Sequence, residues 1–332
     1  MKKYLSMILD KKKLIKNNLQ SKSFYIALIL SLSLLYFIFK DFDFDYFLLS
    51  LKDINAMKLL IASLMLMVAV YVRAIRWRYL IQKDNISTHV LYKGQLIGYF
   101  INNILPLRAG EFIKSYYVGN KLQEPKTFIF GTVFLERFFD FIGLLFLLIL
   151  MLNSSLLDIV LDNFSYVIFA VLVLFLIGIL AMYSFKKEFF KEKIKNRLTY
   201  FIVNIINGFS KISNLNILIS LFLTIIIWSI YIVEVHLVQS AFNIELSLHE
   251  SIFILLISSI FMLLPAIPGN FGTFEASVVS SFVLFEKYNI DAHVPDVIGF
   301  SLVLHLVSYI PYTIFGFIYC LQEIKFLLIK IK

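Results

Sequence analysis

Eight ionisable residues stand in or beside otherwise apolar stretches of this chain: Arg73, Arg76, Arg108, Glu111, Glu136, Arg137, Asp140 and Glu275. Arginine offers phosphate a planar fork of donors, so the arginines suit a phosphate-bearing ligand. Arg73 and Arg76 are three apart and share one helix face. Snorkelling at a membrane surface accounts for Arg78 and is the plain alternative for the pair, whereas Arg73 lies deeper and is the better candidate for ligand contact. Glu136 and Asp140 are four apart with Arg137 beside them, three charges in one apolar run. Two carboxylates on one face repel unless a proton or a cation intervenes. They either touch ligand directly or form a salt-bridge knot with Arg73, Arg76 or Arg108, and both readings turn them inward.

The remaining charges sit at two breaks. The first is Asn102-Asn103-Ile104-Leu105-Pro106-Leu107-Arg108-Ala109-Gly110-Glu111. The second is Leu264-Pro265-Ala266-Ile267-Pro268-Gly269-Asn270-Phe271-Gly272-Thr273-Phe274-Glu275. In each, an apolar run ends at Leu-Pro, turns on glycine (Gly110; Gly269 and Gly272) and restarts as a helix bearing a glutamate. Glu111 and Glu275 then lie near the positive end of the new helix, a placement that is also a sufficient structural explanation for them. Arg108 is expected at a ligand site, because ionisable groups at membrane depth are functional by default. Lys114, one turn beyond Glu111, reads equally well as its ion-pair partner. Glu275 has no cation nearby in sequence, so it either meets Arg108 or carries a proton. Glu234, His236 and His305 are weaker candidates. No pair of the five histidines has metal-site spacing and no nucleotide fingerprint occurs, so no metal or cofactor is expected.

Such backbone breaks survive inside a membrane only where protein or a water-filled cavity satisfies them. The composition requires that setting: of 332 residues, 60% are hydrophobic and 16% charged, against about 25% charged in a soluble domain. The net charge of +9 does not indicate nucleic acid, since the basic residues flank apolar runs and set orientation. The lone Cys320 excludes an intramolecular disulfide. No cleavable signal is evident, because the first apolar run is followed by Lys40-Asp41.

In chain order, residues 1–22 form a basic cytoplasmic segment. A transmembrane domain fills 23–322, with spans near 23–40, 57–79, 127–152, 164–185, 215–242 and 296–320. Broken elements at 94–122 and 250–290 read as re-entrant. Residues 186–214, with seven basic and two acidic residues, form an amphipathic cytoplasmic linker, and 323–332 a cytoplasmic tail. Span, span, broken element, span thus occurs twice, over 23–152 and 164–320. The first copy starts inside and the second outside, an inverted-topology repeat. The expected fold is an all-α polytopic membrane protein of about six spans and two re-entrant elements, both termini cytoplasmic.

Four motifs in order carry a resemblance: Arg73-x-x-Arg76-Trp77; Asn102-Asn103 with Leu105-Pro106-x-Arg108-x-Gly110-Glu111; Glu136-Arg137-x-x-Asp140; and Pro265-x-x-Pro268-Gly269-x-x-Gly272-x-x-Glu275. Together, over about 20–320, they resemble the lysylphosphatidylglycerol synthase transmembrane-region family. That is the flippase-like domain also found in the membrane part of the multiple peptide resistance factor. The resemblance implies lipid translocation between leaflets and a pair of re-entrant elements. Lys114 stands where relatives often have arginine, and Asn270 where the turn is commonly richer in glycine. The chain ends soon after the last span, so the soluble synthase activity of some relatives is not expected here.

The function expected is movement of a polar or anionic-headed phospholipid, or a polyprenyl-linked lipid, between leaflets of the plasma (inner) membrane. Arg73, Arg76, Asn103, Arg108 and Arg137 would receive the headgroup, and Glu111, Glu136, Asp140 and Glu275 would balance charge or exchange protons. The chain is then not an enzyme. Its partners are membrane lipids, with cell-envelope lipid biosynthesis enzymes as further candidates. The rivals are a membrane-embedded lipid-modifying transferase and a non-catalytic partner of a cell-envelope enzyme.

Overall fold

The computed structural model describes residues 51–83, 86–105, 108–152, 154–158, 212–242, 244–262, 267–285 and 290–329, with isolated positions at 29, 33, 36, 40, 45, 47, 48, 162 and 173. The basic segment 1–22, nearly all of the spans expected at 23–40 and 164–185, most of the linker 186–214, and both Pro106 and Pro265 lie outside the described residues.

Apart from short 3-10 turns, the regular elements among the described residues are α-helices: α1 Ala56–Ile81, α2 Thr88–Ile104, α3 Gly110–Lys121, α4 Lys126–Leu150, α5 Asn214–Ala241, α6 Leu248–Phe261, α7 Thr273–Val283 and α8 Ile290–Ile329. Among the described residues, three stretches are long and apolar enough to cross a membrane: α1, α5 and residues Asp296–Glu323 within α8. The 25-residue α4 matches them in length, but Glu136, Arg137 and Asp140 interrupt its apolar surface. By contrast α2, α3, α6 and α7 have 17, 12, 14 and 11 residues, short of the roughly 20 a hydrocarbon core requires. Long, short, short, long therefore occurs twice, as α1 to α4 and as α5 to α8.

Local chemistry sets where these helices start. Asn55 accepts the Lys58 N–H at 3.2 Å before α1, and Ser213 accepts that of Asn216 at 3.2 Å before α5. Ser247 and Glu250 form a reciprocal capping box before α6, with bonds of 2.7 and 3.2 Å. α8 exceeds the span read from sequence at both ends and extends into the expected tail. Its 40 residues measure about 60 Å at 1.5 Å per residue. No glycine or proline follows Gly316 to stop it. Inside α8, Pro311 lacks an N–H for the Val307 carbonyl, and Ser63 of α1 donates its hydroxyl there at 3.3 Å.

α1 packs along α5, and the first broken pair lies against α8 through α2. Leu66, Trp228, Phe253, Phe282 and Phe300 belong to a buried cluster centred on the second half, and Trp77, Leu91, Ile129 and Phe139 to one centred on the first. Leu66, Leu144 and Trp228 of the second-half cluster line the space where the two breaks meet.

Candidate functional site

The first break is held by a close helix crossing. Asn102 Oδ1 accepts the Gly110 N–H at 2.7 Å. A Cβ at Gly110 would collide with the Gly98 carbonyl oxygen and with Asn102, so glycine here serves contact. The left-handed turn expected of a glycine falls instead on Arg108, at φ 52°. That conformation is disfavoured for a side chain with a Cβ. It delivers the Arg108 guanidinium to the carbonyl oxygen of Met262, at the end of α6. One break thus reaches across to the other.

The second break follows the glycine expectation. Gly269 and Gly272 have φ of 74° and 82°, and Asn270 takes the intervening left-handed position at 59°. Pro268 opens the short 3-10 turn Pro268–Asn270. Glu275 caps α7 by accepting the Gly272 N–H at 2.6 Å. Its other oxygen lies 2.7 Å from His305 Nδ1 on α8. Glu275 therefore pairs with His305, not with Arg108, and the His305 ring packs between Phe271 and Phe274 with centroids at 4.7 Å from each.

Between the breaks the charges form one network. Asp140 accepts from Arg73 and Arg76 at 2.8 Å each and from Arg137 at 3.2 Å. Arg137 also pairs with Glu111. Lys114 lies 3.0 Å from Glu111 and 2.8 Å from Glu136, and Gln95 donates to the other Glu136 oxygen. In ordinary charge states, four cations face three carboxylates here, and Arg108 raises the excess to two positive charges. Burying such charges is tolerable only because each finds opposite charge and hydrogen bonds. The i, i+4 pair splits its duties: Asp140 gathers arginines, while Glu136 takes the buried lysine.

A cavity of about 720 Å³ opens between the two breaks. Six of the nine residues expected to bind ligand line it: Arg73, Asn103, Arg108, Glu111, Arg137 and Asp140. The other three stand behind the wall. Arg76, Glu136 and Glu275 are fully buried, and they position the lining residues through the bonds above. Lys114 is likewise buried outside the lining, so its departure from arginine falls on an ion pair within the protein. Asn103 donates to Thr313 Oγ1 at 2.8 Å, fastening α2 to α8. At the far end of α8, Glu323 takes Lys121 at 2.6 Å, Lys93 at 3.8 Å and the Tyr117 hydroxyl at 3.2 Å.

Sequence reasoning passed over the aromatic wall. Tyr99 and Tyr312 stack at 4.9 Å, and Trp228 meets Tyr231 edge-on at 5.9 Å. All four line the cavity. The signal was present as helical spacing: Gln95, Tyr99, Asn102 and Asn103 fall on neighbouring turns, as do Thr224, Trp228, Tyr231 and Glu234.

A family described as "Lysylphosphatidylglycerol synthase TM region" matches residues 24–316. A UPF0104 membrane protein of Methanocaldococcus jannaschii is 27% identical over 220 residues, covering 65% of this chain and 91% of its own. Another from the same organism is 23% identical over 326 residues, covering 88% and 93%. One from Methanothermobacter thermautotrophicus is 28% identical over 247 residues, covering 68% and 72%. No solved structure matches.

Proposed function

The chain belongs to the lysylphosphatidylglycerol synthase TM region family, and from that premise we propose that it carries a polar or anionic-headed lipid between membrane leaflets. An integral membrane protein of this kind would hold the headgroup in the cavity while the acyl chains stay in lipid. The observation behind this reading is the charged cavity between two helix breaks, with Arg108 of the first bonded to the Met262 carbonyl of the second. Breaks of this sort are tolerated at membrane depth where they line a cavity, and paired breaks mark transporter sites.

In this reading the repeated order long, short, short, long is an inverted repeat of about six spans with two re-entrant elements, set in the plasma (inner) membrane. Arg73, Arg108 and Arg137 receive the phosphate of a phospholipid or polyprenyl-linked lipid. Asp140 and Glu111 keep the guanidiniums oriented, and Arg76, Glu136 and Glu275 support them from behind. The chain acts as a carrier, not as an enzyme, and its partners are membrane lipids and the cell-envelope enzymes that make or use them.

Headgroup-diazirine phospholipids test this placement. Photolysis of the purified protein in liposomes should put adducts on peptides containing Asn103, Arg137 and Tyr309, competed by excess unlabelled lipid. Adducts confined to the outward faces of α1 and α5 would remove the cavity from the account.

A further inference from the structure

Glu234 on α5 differs from every other buried carboxylate of the site. Glu111, Glu136, Asp140 and Glu275 each meet a cation or a histidine. Glu234 is 6% exposed and lines the cavity. Among the described residues, no cation and no hydrogen-bond donor reaches its carboxylate. Tyr231 is one turn back on the same helix, and the stacked Tyr99 and Tyr312 share the cavity wall. A carboxylate without a cation, on a cavity wall shared with tyrosines, describes a receptor for an organic cation.

The arginines on the same wall narrow the ligand. Arg73 Nη1 meets the Tyr231 hydroxyl at 3.4 Å, and Glu234, one turn further along α5, lines the same cavity as Arg73, Arg108 and Arg137. Anion-seeking and cation-seeking groups therefore share one cavity. That arrangement suits a headgroup in which a phosphate is joined to an ammonium.

We propose that Glu234, with Tyr99, Tyr231 and Tyr312, holds the ammonium of a zwitterionic phosphoethanolamine-type headgroup whose phosphate rests on Arg73, Arg108 and Arg137. The inference deepens the carrier reading and rests on it for the lipid, though not for the binding chemistry. The arginines and Glu234 present opposite chemistry to one cavity, and a ligand with separated charges meets both.

The test has a binding arm and an exchange arm, both on the full chain. Intrinsic tryptophan fluorescence in detergent is titrated with short-chain phosphatidylethanolamine, phosphatidylglycerol, and soluble phosphoethanolamine. Wild type should prefer phosphatidylethanolamine over phosphatidylglycerol by about tenfold, the scale of a desolvated cation–π and carboxylate contact. Glu234→Gln should erase that preference, and Glu234→Asp should keep part of it. Soluble phosphoethanolamine competing as well as the lipid would assign the site to the free headgroup.

Exchange of acyl-labelled forms of the same lipids in proteoliposomes should show the same selective loss. Selective binding without exchange of any lipid would sink the carrier reading and leave the ammonium site standing. Equal affinity for both lipids in wild type would overturn the ammonium site. So would equal losses for both lipids in Glu234→Gln, which would assign Glu234 to a proton. Tyr312→Leu provides a second variant, expected to weaken only the ammonium-bearing lipid.

Discussion

Replacing Asp140 by asparagine removes the negative charge on which three arginines converge. The Arg73 and Arg76 bonds are each 2.8 Å, and that of Arg137 is 3.2 Å. The side chains of Arg76, Arg73 and Asp140 are 0%, 6% and 16% exposed, so solvent screens little of the interaction. Removing one partner of a buried pair destabilises by about 3–5 kcal/mol, because the other charge stays buried without compensation. The substituted side chain would also turn an amide N–H₂ toward guanidinium donors. We expect Asp140→Asn to lose about 3 kcal/mol or more in SDS-induced unfolding of the purified protein, followed by tryptophan fluorescence. Arg76→Met removes the fully buried guanidinium and replaces it with an apolar chain. Combined with Asp140→Asn it should recover about 2 kcal/mol relative to additivity, within the range of coupled neighbours. A single-variant loss under about 0.5 kcal/mol, the size of an ordinary surface change, would refute the network argument. Strict additivity would refute it equally.

Five further variants draw on the same geometry. Gly110→Val should fail to close the first break, since even a Cβ meets the Gly98 carbonyl, and a loss of about 3 kcal/mol or expression failure is expected; unchanged unfolding would mean the crossing is not tight. Gly143→Val would drive a side chain into the Trp228 indole, so near-UV circular dichroism should lose tryptophan signal along with stability. Glu275→Gln weakens the His305 contact and the charge at the α7 start, for a loss of about 1.5–3 kcal/mol in the same unfolding assay. Gly269→Ala, at φ 74°, should cost about 1–2 kcal/mol, whereas Gly316→Ala would be lost through collision with the Leu96 carbonyl and Phe100.

Hydropathy and charge made the long helices legible. Expected runs at 57–79, 127–152 and 215–242 became Ala56–Ile81, Lys126–Leu150 and Asn214–Ala241. The breaks were legible because proline and glycine act locally, and Asn270 took the left-handed turn its side chain tolerates. What the sequence hid were partners. Lys114 to Glu136 spans 22 positions, Glu275 to His305 spans 30 and Asp140 to Arg73 spans 67. Local spacing places a charge on a face, but helix packing chooses what that face meets. The turn expected at Gly110 falls on Arg108 for a related reason: Arg108 takes the positive φ, with its guanidinium bonded to the Met262 carbonyl in the other half. The aromatic wall was overlooked because 35 phenylalanines and 18 tyrosines make any single ring unremarked in so apolar a chain.

The central claim is that a lipid headgroup crosses through the cavity between the two breaks. Leaflet exchange of acyl-labelled phospholipids in proteoliposomes measures this directly, with wild type compared against Arg108→Ala and Glu136→Gln. Exchange in wild type should run well above empty liposomes and fall by about tenfold or more in Arg108→Ala, where a charged contact to the headgroup is lost. Glu136→Gln should fall as well, through the Lys114 and Gln95 contacts that support the wall. Equal exchange in wild type and both variants would contradict the claim.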